Sequence, residues 1–307
     1  MQPAAINTPT LTEARTFWRM ARQVVNSWLD DYAPSMGAAL AFYTVFSLAP
    51  LLLIVIAVAG LVFGEDAARG EIVAQLRVMM GEPGANAVQD LLVSVRRPGE
   101  GLFATAVGLG LLFVGATTVF GELQDALDRI WRVPARVRSS AWLVLLRARL
   151  LSFGMILAIG FLLMVSLVAS AGLVAMGRWW EPVFGWWYVL AVATNALVDL
   201  GLVAVMFALI YKVMPRARVL WRDVWIGALF TALLFTLGKY LIGLYIGRSG
   251  VTSAFGAAGS LVVVLLWVYY SAQIFLIGAE FTWVYANTFG SRRSASAKPP
   301  RVLDTLP

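Results

Sequence analysis

The sequence predicts an all-α protein, a polytopic membrane helix bundle with six transmembrane helices and attached amphipathic interfacial helices. Three observations carry this. Of 307 residues, 60% are hydrophobic and only 13% charged, at a mean hydropathy of +0.80, which leaves too little charge to coat a soluble domain. Six apolar stretches approach or exceed the roughly 20 residues that a helix needs to cross a hydrocarbon core. The basic residues also alternate: 17 of the 24 fall in the N-terminal segment, the second and fourth loops and the C-terminal tail, and six in the other loops. The positive-inside rule then places both termini in the cytoplasm.

Composition also excludes chemistry. The chain has no cysteine and no histidine. Disulfides, thiolate or imidazole metal sites and Ser-His catalysis are therefore outside its repertoire. No catalytic residue, metal or cofactor is expected, and the chain is not read as an enzyme. The net charge of +7 is explained by topology, so no nucleic-acid partner is inferred.

Residues 1–35 hold an amphipathic helix over Thr10–Trp28, with Arg15, Arg19 and Arg22 away from its apolar positions. It either lies on an anionic leaflet or packs on the ends of the bundle. The segment lacks the compact apolar core of a cleaved leader. Residues 36–286 form the transmembrane domain. The first span, 36–64, contains Pro50, a predicted kink, with Ser47 placed to reach a nearby carbonyl. Residues 65–100 read as a periplasmic loop of two short amphipathic helices broken at Gly81–Gly84, which cover the bundle or cap an entrance.

The second span, 102–120, is rich in small residues and runs into an amphipathic helix over Glu122–Pro134. There Glu122, Asp125 and Asp128 read as a solvated face and Trp131 as a headgroup anchor. The third span, 150–176, leads to a turn with Trp179, Trp180, Trp186 and Trp187 as an interfacial belt. The fourth, 188–211, carries Asn195 and Asp199 four residues apart on one face. The fifth and sixth are 224–247 and 260–286. Gly243 and Gly247 have a spacing that suits close helix packing. The tail, 287–307, is basic, proline-containing and expected to be disordered.

The fifth span contains Lys239, about 12 Å below its outer end. A cation there costs on the order of 2.5–3.5 kcal/mol unless it is paired, solvated or able to snorkel. Glu280 lies too near the opposite face to reach it. Reflection through a turn centred near residues 217 and 218 sets Asn195 level with Lys239 and Asp199 about 5 Å deeper. The expected polar site is Lys239, Asp199, Asn195 and Thr236, serving either transport or helix register. Gln273 and Glu280, seven residues apart, are candidates to line the cytoplasmic half of the same pathway, although a solvated end-of-helix carboxylate explains Glu280 equally.

Four strings combine into a resemblance: LAFYTVFSLAP (Leu40–Pro50), LQDALDRIWRVP (Leu123–Pro134), GKYLIGLYI (Gly238–Ile246) and GSLVVVLLWVYYSAQIFLIGAEF (Gly259–Phe281). Over roughly residues 30 to 290 the chain resembles the YihY/virulence factor BrkB family. That resemblance implies a six-span inner-membrane protein, described in the family as a transporter or envelope protein and, in older naming, as ribonuclease BN. The lack of histidine and of clustered acids argues against a nuclease. With no Walker motif, the expected function is a non-ATP-driven transporter or permease for a small-molecule or lipid substrate, with the lipid bilayer as partner and homo-oligomers allowed. The alternative is a non-transporting envelope scaffold or integrity factor.

Overall fold

The computed structural model describes residues 11–95, 118–134, 187–250, 254–255 and 258–293, and every regular element among them is helical. In chain order these are α1 (Leu11–Asp30), α2 (Ala33–Phe63), α3 (Glu65–Val95), α4 (118–130), α5 (Trp187–Val213), α6 (Trp221–Arg248) and α7 (Gly259–Thr288). Ala196–Val213 of α5 and the whole of α6 and α7 are long and apolar enough to cross a membrane, and α2 adds a shorter apolar stretch over Ala33–Leu48. The expected spans 36–64, 188–211, 224–247 and 260–286 are thus helices, each end lying within three residues of its expected place. Most of the expected second span, all of the third, Trp179, Trp180, Trp186 and the tail from residue 294 lie outside the described residues.

Local chemistry sets the boundaries. Tyr32 takes a left-handed backbone (φ 58°), and Pro34 in the first turn of α2 starts that helix where a backbone N–H is dispensable. Gly64 ends it at φ 85°, and the helix is continuous through Pro50. Ser47 donates to the Thr44 carbonyl at 3.0 Å, three residues back rather than four residues before the proline. α3 breaks at Gly81 (φ 76°, ψ 173°), just before Pro83, which gives the two expected short helices. Their Met80, Ala87, Val88 and Leu92 form one buried cluster with Val45, Ile56, Ile242, Ile246, Val263 and Val264. This pair therefore covers one end of α2, α6 and α7.

α1 docks on α7 through Met20 and Val24, which pack against Val284 with Ile277, Phe281 and Trp283 around them. Bundle packing accounts for that face, while Trp18, Val25 and Leu29 point outward.

α7 is central, packing against α6, α2, α3 and α1. Its crossing with α6 is built from two reciprocal pairs. A Cβ on Gly227 would overlap the Thr282 side chain, and a Cβ on Gly278 would overlap Thr231 and the Tyr211 hydroxyl. Each threonine hydroxyl donates to a carbonyl of its own helix, Thr231 to Gly227 and Thr282 to Gly278, both at 2.7 Å. Neither threonine hydroxyl is left as an unpaired donor, and the backbones come together as small-residue crossings allow. Gly243 and Gly247 play no such part among the described residues. A Cβ on the first would meet nothing within 4 Å, and one on the second only Pro83 at 4.0 Å. The close crossing lies at the other end of α6.

Tyr211 ties α5 into this crossing. Its hydroxyl donates to the Phe275 carbonyl at 2.7 Å and lies 3.0 Å from the Thr231 hydroxyl, and Phe207 meets Phe235 edge-on at 5.7 Å. Over-packing at such a contact costs typically 1–3 kcal/mol. Gly227→Ala should therefore lower thermal stability of the purified protein by about that amount, and Thr282→Gly in the same chain should recover most of it. An unchanged melting temperature in the single variant would show that the helices can part there freely.

Candidate functional site

The register set by Tyr211–Thr231 and Phe207–Phe235 decides the fate of the expected Lys239 site. Four residues beyond Phe235 is Lys239, and four before Phe207 is Val203, so the lysine lies level with Val203. Asp199 is then displaced by about one turn, roughly 6 Å, toward the far end of α5. The turn is not symmetric: residues 214–220 are non-helical, and the Lys212 ammonium donates to the Val219 carbonyl. A centre near 217 therefore misplaces the helices. Lys239 and Asp199, both half-buried, make no ion pair with each other. The Lys239 ammonium instead sits 5.7 Å from the centroid of the Tyr240 ring, which is itself exposed. Thr236 is half-buried one turn away, and the Asn195 side chain lies outside the described residues.

The strongest polar anomaly is on α7. Ile274, Gly278 and Thr282 face α6, and at 100° per residue Gln273 and Glu280 fall on the opposite face. Gly37 of α2 approaches Gln273 so closely that a Cβ there would overlap its amide nitrogen. Neither amide atom of Gln273 has a hydrogen-bond partner. Glu280 is 0% exposed, and both of its carboxylate oxygens lack a donor. Far from being a solvated carboxylate, it is enclosed where α1, α2, α4 and α7 converge. An unsolvated carboxylate costs several kcal/mol unless it is paired, so its neighbours matter.

Those neighbours are Asp31, Arg132 and Asp30. Asp31 follows α1 in the turn to α2, and its Oδ2 is buried without a donor; its carbonyl accepts from Arg129 at 3.4 Å. Arg132 follows α4 in a left-handed backbone (φ 52°) and lays its guanidinium 4.2 Å from the centroid of the Trp283 ring. Tyr32 and Arg132 are the two non-glycine residues with positive φ among those described, and both border Glu280's surroundings. Such strain clusters at functional sites. Trp28, three residues before Asp31, and Trp131, beside Arg132, each bury an indole N–H without an acceptor. Trp131, expected at the headgroups, is 2% exposed and lies beneath the Arg292 guanidinium at 5.0 Å.

Beside this centre the end of the bundle is tied by acids and arginines. Asp128, expected on a solvated face, is buried. It accepts from the Arg216 backbone N–H at 2.7 Å, and its Oδ2 lies 3.4 Å from the Arg216 guanidinium. Asp223, 1% exposed at the start of α6, accepts from the Ser291 N–H and hydroxyl. Arg292 donates to the Arg218 carbonyl at 3.0 Å. Of the expected tail, residues 287 and 288 thus close α7 and 289–293 are docked. Asp31, Arg132, Asp128 and Asp223 escape reading from the sequence because their partners are distant in the chain; Arg132 and Asp128 do lie inside the string LQDALDRIWRVP.

An all-helical membrane protein with a buried carboxyl centre is the class that fold and site define. The chain belongs to the virulence factor BrkB family, whose family model matches residues 24–302. It is 29% identical to a UPF0761 membrane protein of Pseudomonas paraeruginosa over 93% of this chain and 67% of that one. With the Azotobacter vinelandii relative the identity is 31% over 94% and 67%, and with that of Pseudoalteromonas translucida 27% over 85% and 83%. No solved structure matches the chain.

Burial pushes the Asp128 carboxyl above the ordinary carboxylate value; the Arg216 N–H and guanidinium pull it partly back, and Asp125 adds to the rise. The folded state thus holds this proton more tightly than the unfolded chain. Asp128's contribution to stability should grow as pH falls from above its folded value to below the unfolded one. Thermal denaturation of the wild type and Asp128→Asn across that acid range should show the wild type gaining on the variant. A constant difference would contradict the assignment.

Proposed function

We propose that the chain is a non-ATP-driven transporter or permease of the bacterial inner membrane, with both termini cytoplasmic, acting on a small-molecule or lipid substrate. The observation that carries this reading is Glu280, a fully enclosed carboxylate in an apolar span with neither oxygen satisfied. An ionisable group placed there at such cost is a functional candidate by default. Gln273, two turns along the same face with both amide atoms unpartnered, extends a polar track along α7. Lys239 with Thr236, and Asp199 one turn displaced, mark a second polar zone toward the other end. The chain is not an enzyme in this reading, since its composition offers no histidine or cysteine.

A second reading, an envelope scaffold, has its own support. The α6–α7 crossing is tightly closed, and a groove between α5 and α6 is lined entirely by apolar and glycine residues from Val198 to Leu229.

Proteoliposomes carrying the full chain, tested for uptake and efflux across a panel of ions, small solutes and fluorescent lipids, separate the two. The transport reading expects at least one substrate to move, with flux falling by an order of magnitude in Glu280→Gln while folding is kept. Failure of the wild type to move any of them would favour the scaffold, and equal flux in the variant would take Glu280 out of the transport path. Lys239→Met with normal flux and normal stability would remove the second polar zone from the pathway.

A further inference from the structure

We propose that the hollow between α5 and α6 binds an acyl chain of one anionic phospholipid, whose phosphate is taken by Arg222 at the mouth. The hollow has a volume of about 580 Å³ and is walled by Val198, Gly201, Leu202 and Val205 of α5 and by Trp225 and Leu229 of α6. That volume suits a small-ligand site, yet apart from the Trp225 indole the walls carry no polar side-chain atom. A hydrocarbon chain, which needs no hydrogen-bond partner, matches such walls.

Gly201 gives the hollow its depth. Val198, Gly201, Leu202 and Val205 stand at i, i+3, i+4 and i+7 on one face of α5, and Gly201 is the exposed member. A Cβ built on Gly201 meets nothing within 4 Å, so no described residue closes the gap. Farther along α6 the outward side is different. Leu233, Leu237, Leu241 and Leu244 are all exposed there and form a ridge, past which lipid slides without being held.

The mouth supplies the charge. Arg222, Trp225 and Leu229 follow the i, i+3, i+7 spacing on α6, which sets the arginine on the hollow's face, one turn nearer the α5–α6 turn. Arg218 and Arg222 are exposed, and neither guanidinium has an acid partner among the described residues. The nearby acids are committed, Asp223 to Ser291 and Asp128 to Arg216. In the first turn of a helix the macrodipole opposes a cation and favours an anion. Arg222 therefore adds nothing to α6 by itself, and its guanidinium is free to take a phosphate bidentately. Trp221 and Trp225, both exposed, stand where aromatic residues meet headgroups. A second copy of the chain suits the hollow less well, because a two-fold contact on this face brings the same unpaired arginines together. The lipid comes from the leaflet on the side of the α5–α6 turn, cytoplasmic in the orientation proposed above. The site stands whether or not the chain moves a substrate.

The full chain in phosphatidylcholine nanodiscs, doped with phosphatidylglycerol or phosphatidylcholine bearing the same diazirine-labelled acyl chain, tests this by photolabelling and mass-spectrometric mapping. Labelling should concentrate on residues 198–205 and 225–229, with the anionic probe favoured about fivefold, as one arginine at an anionic headgroup provides. Gly201→Leu, which fills the hollow, should cut that labelling several-fold. Arg222→Gln, at an exposed position, should keep the labelling and lose most of the preference. Labelling no stronger than at Leu237 and Leu244, equal labelling by the two probes, or an unchanged Gly201→Leu would each overturn the site. So would a hollow that takes neither probe, which would then be filled by a second copy or by another span of this chain. If Gly201→Leu fails to fold, the response of Arg222→Gln decides alone.

Discussion

Two glycine–threonine contacts hold α6 against α7, and the placement of every polar group discussed above follows from them. Gly227 and Gly278 leave room for Thr282 and Thr231, and each hydroxyl is absorbed by its own helix. Tyr211 then joins the crossing and fixes how far α5 slides along α6. The same crossing turns the opposite face of α7 toward α1 and α2, carrying Gln273 and Glu280 into the interior. A membrane offers apolar helices little hydrophobic reason to associate, so close backbone approach and satisfied hydroxyls decide the arrangement. The price of that arrangement is a carboxylate enclosed among tryptophans and small residues.

The two ends of the bundle are finished differently. At one end the halves of α3 lay Met80, Val88 and Leu92 over Val263, Val264 and Ile246, an apolar cover. At the other, Asp128, Asp223 and Asp31 meet Arg216, Ser291 and Arg129. The second end is where strain, charge and unsatisfied polar atoms concentrate, and it is where the buried carboxyl centre lies. An end held by ionic and hydrogen-bonded contacts responds to protons; one held by side-chain packing does not.

How much of this was legible in the residues depends on how local the cause was. Helix positions were legible, because long apolar runs and the Gly81–Pro83 break speak through their own neighbours. The break in α3 and the apolar face of α1 follow from spacing, but that this face meets α7 through Met20 and Val24 does not. The Lys239–Asp199 pairing was not legible, because it required the pitch of a hairpin whose turn is non-helical from 214 to 220. A reflection about the middle of the turn errs by about two turns, and the Phe207–Phe235 contact corrects it. Glu280 stood out as a charge in an apolar run, but its burial depended on Asp31 and Arg132, which are far off in sequence. Counting depth along one helix says how far a group lies from an interface and nothing about which helix ends fold over it.

The central claim is that Glu280 belongs to a working site and not to sealed core. The absence of native cysteine makes thiol accessibility the most direct measurement. Single variants Glu280→Cys, Gln273→Cys and Leu276→Cys, the last at a fully buried apolar position of the same helix, would be exposed in membrane vesicles to a water-soluble thiol reagent. The account predicts labelling at 280 and 273 well above that at 276. Equal inertness of all three in folded protein would contradict it.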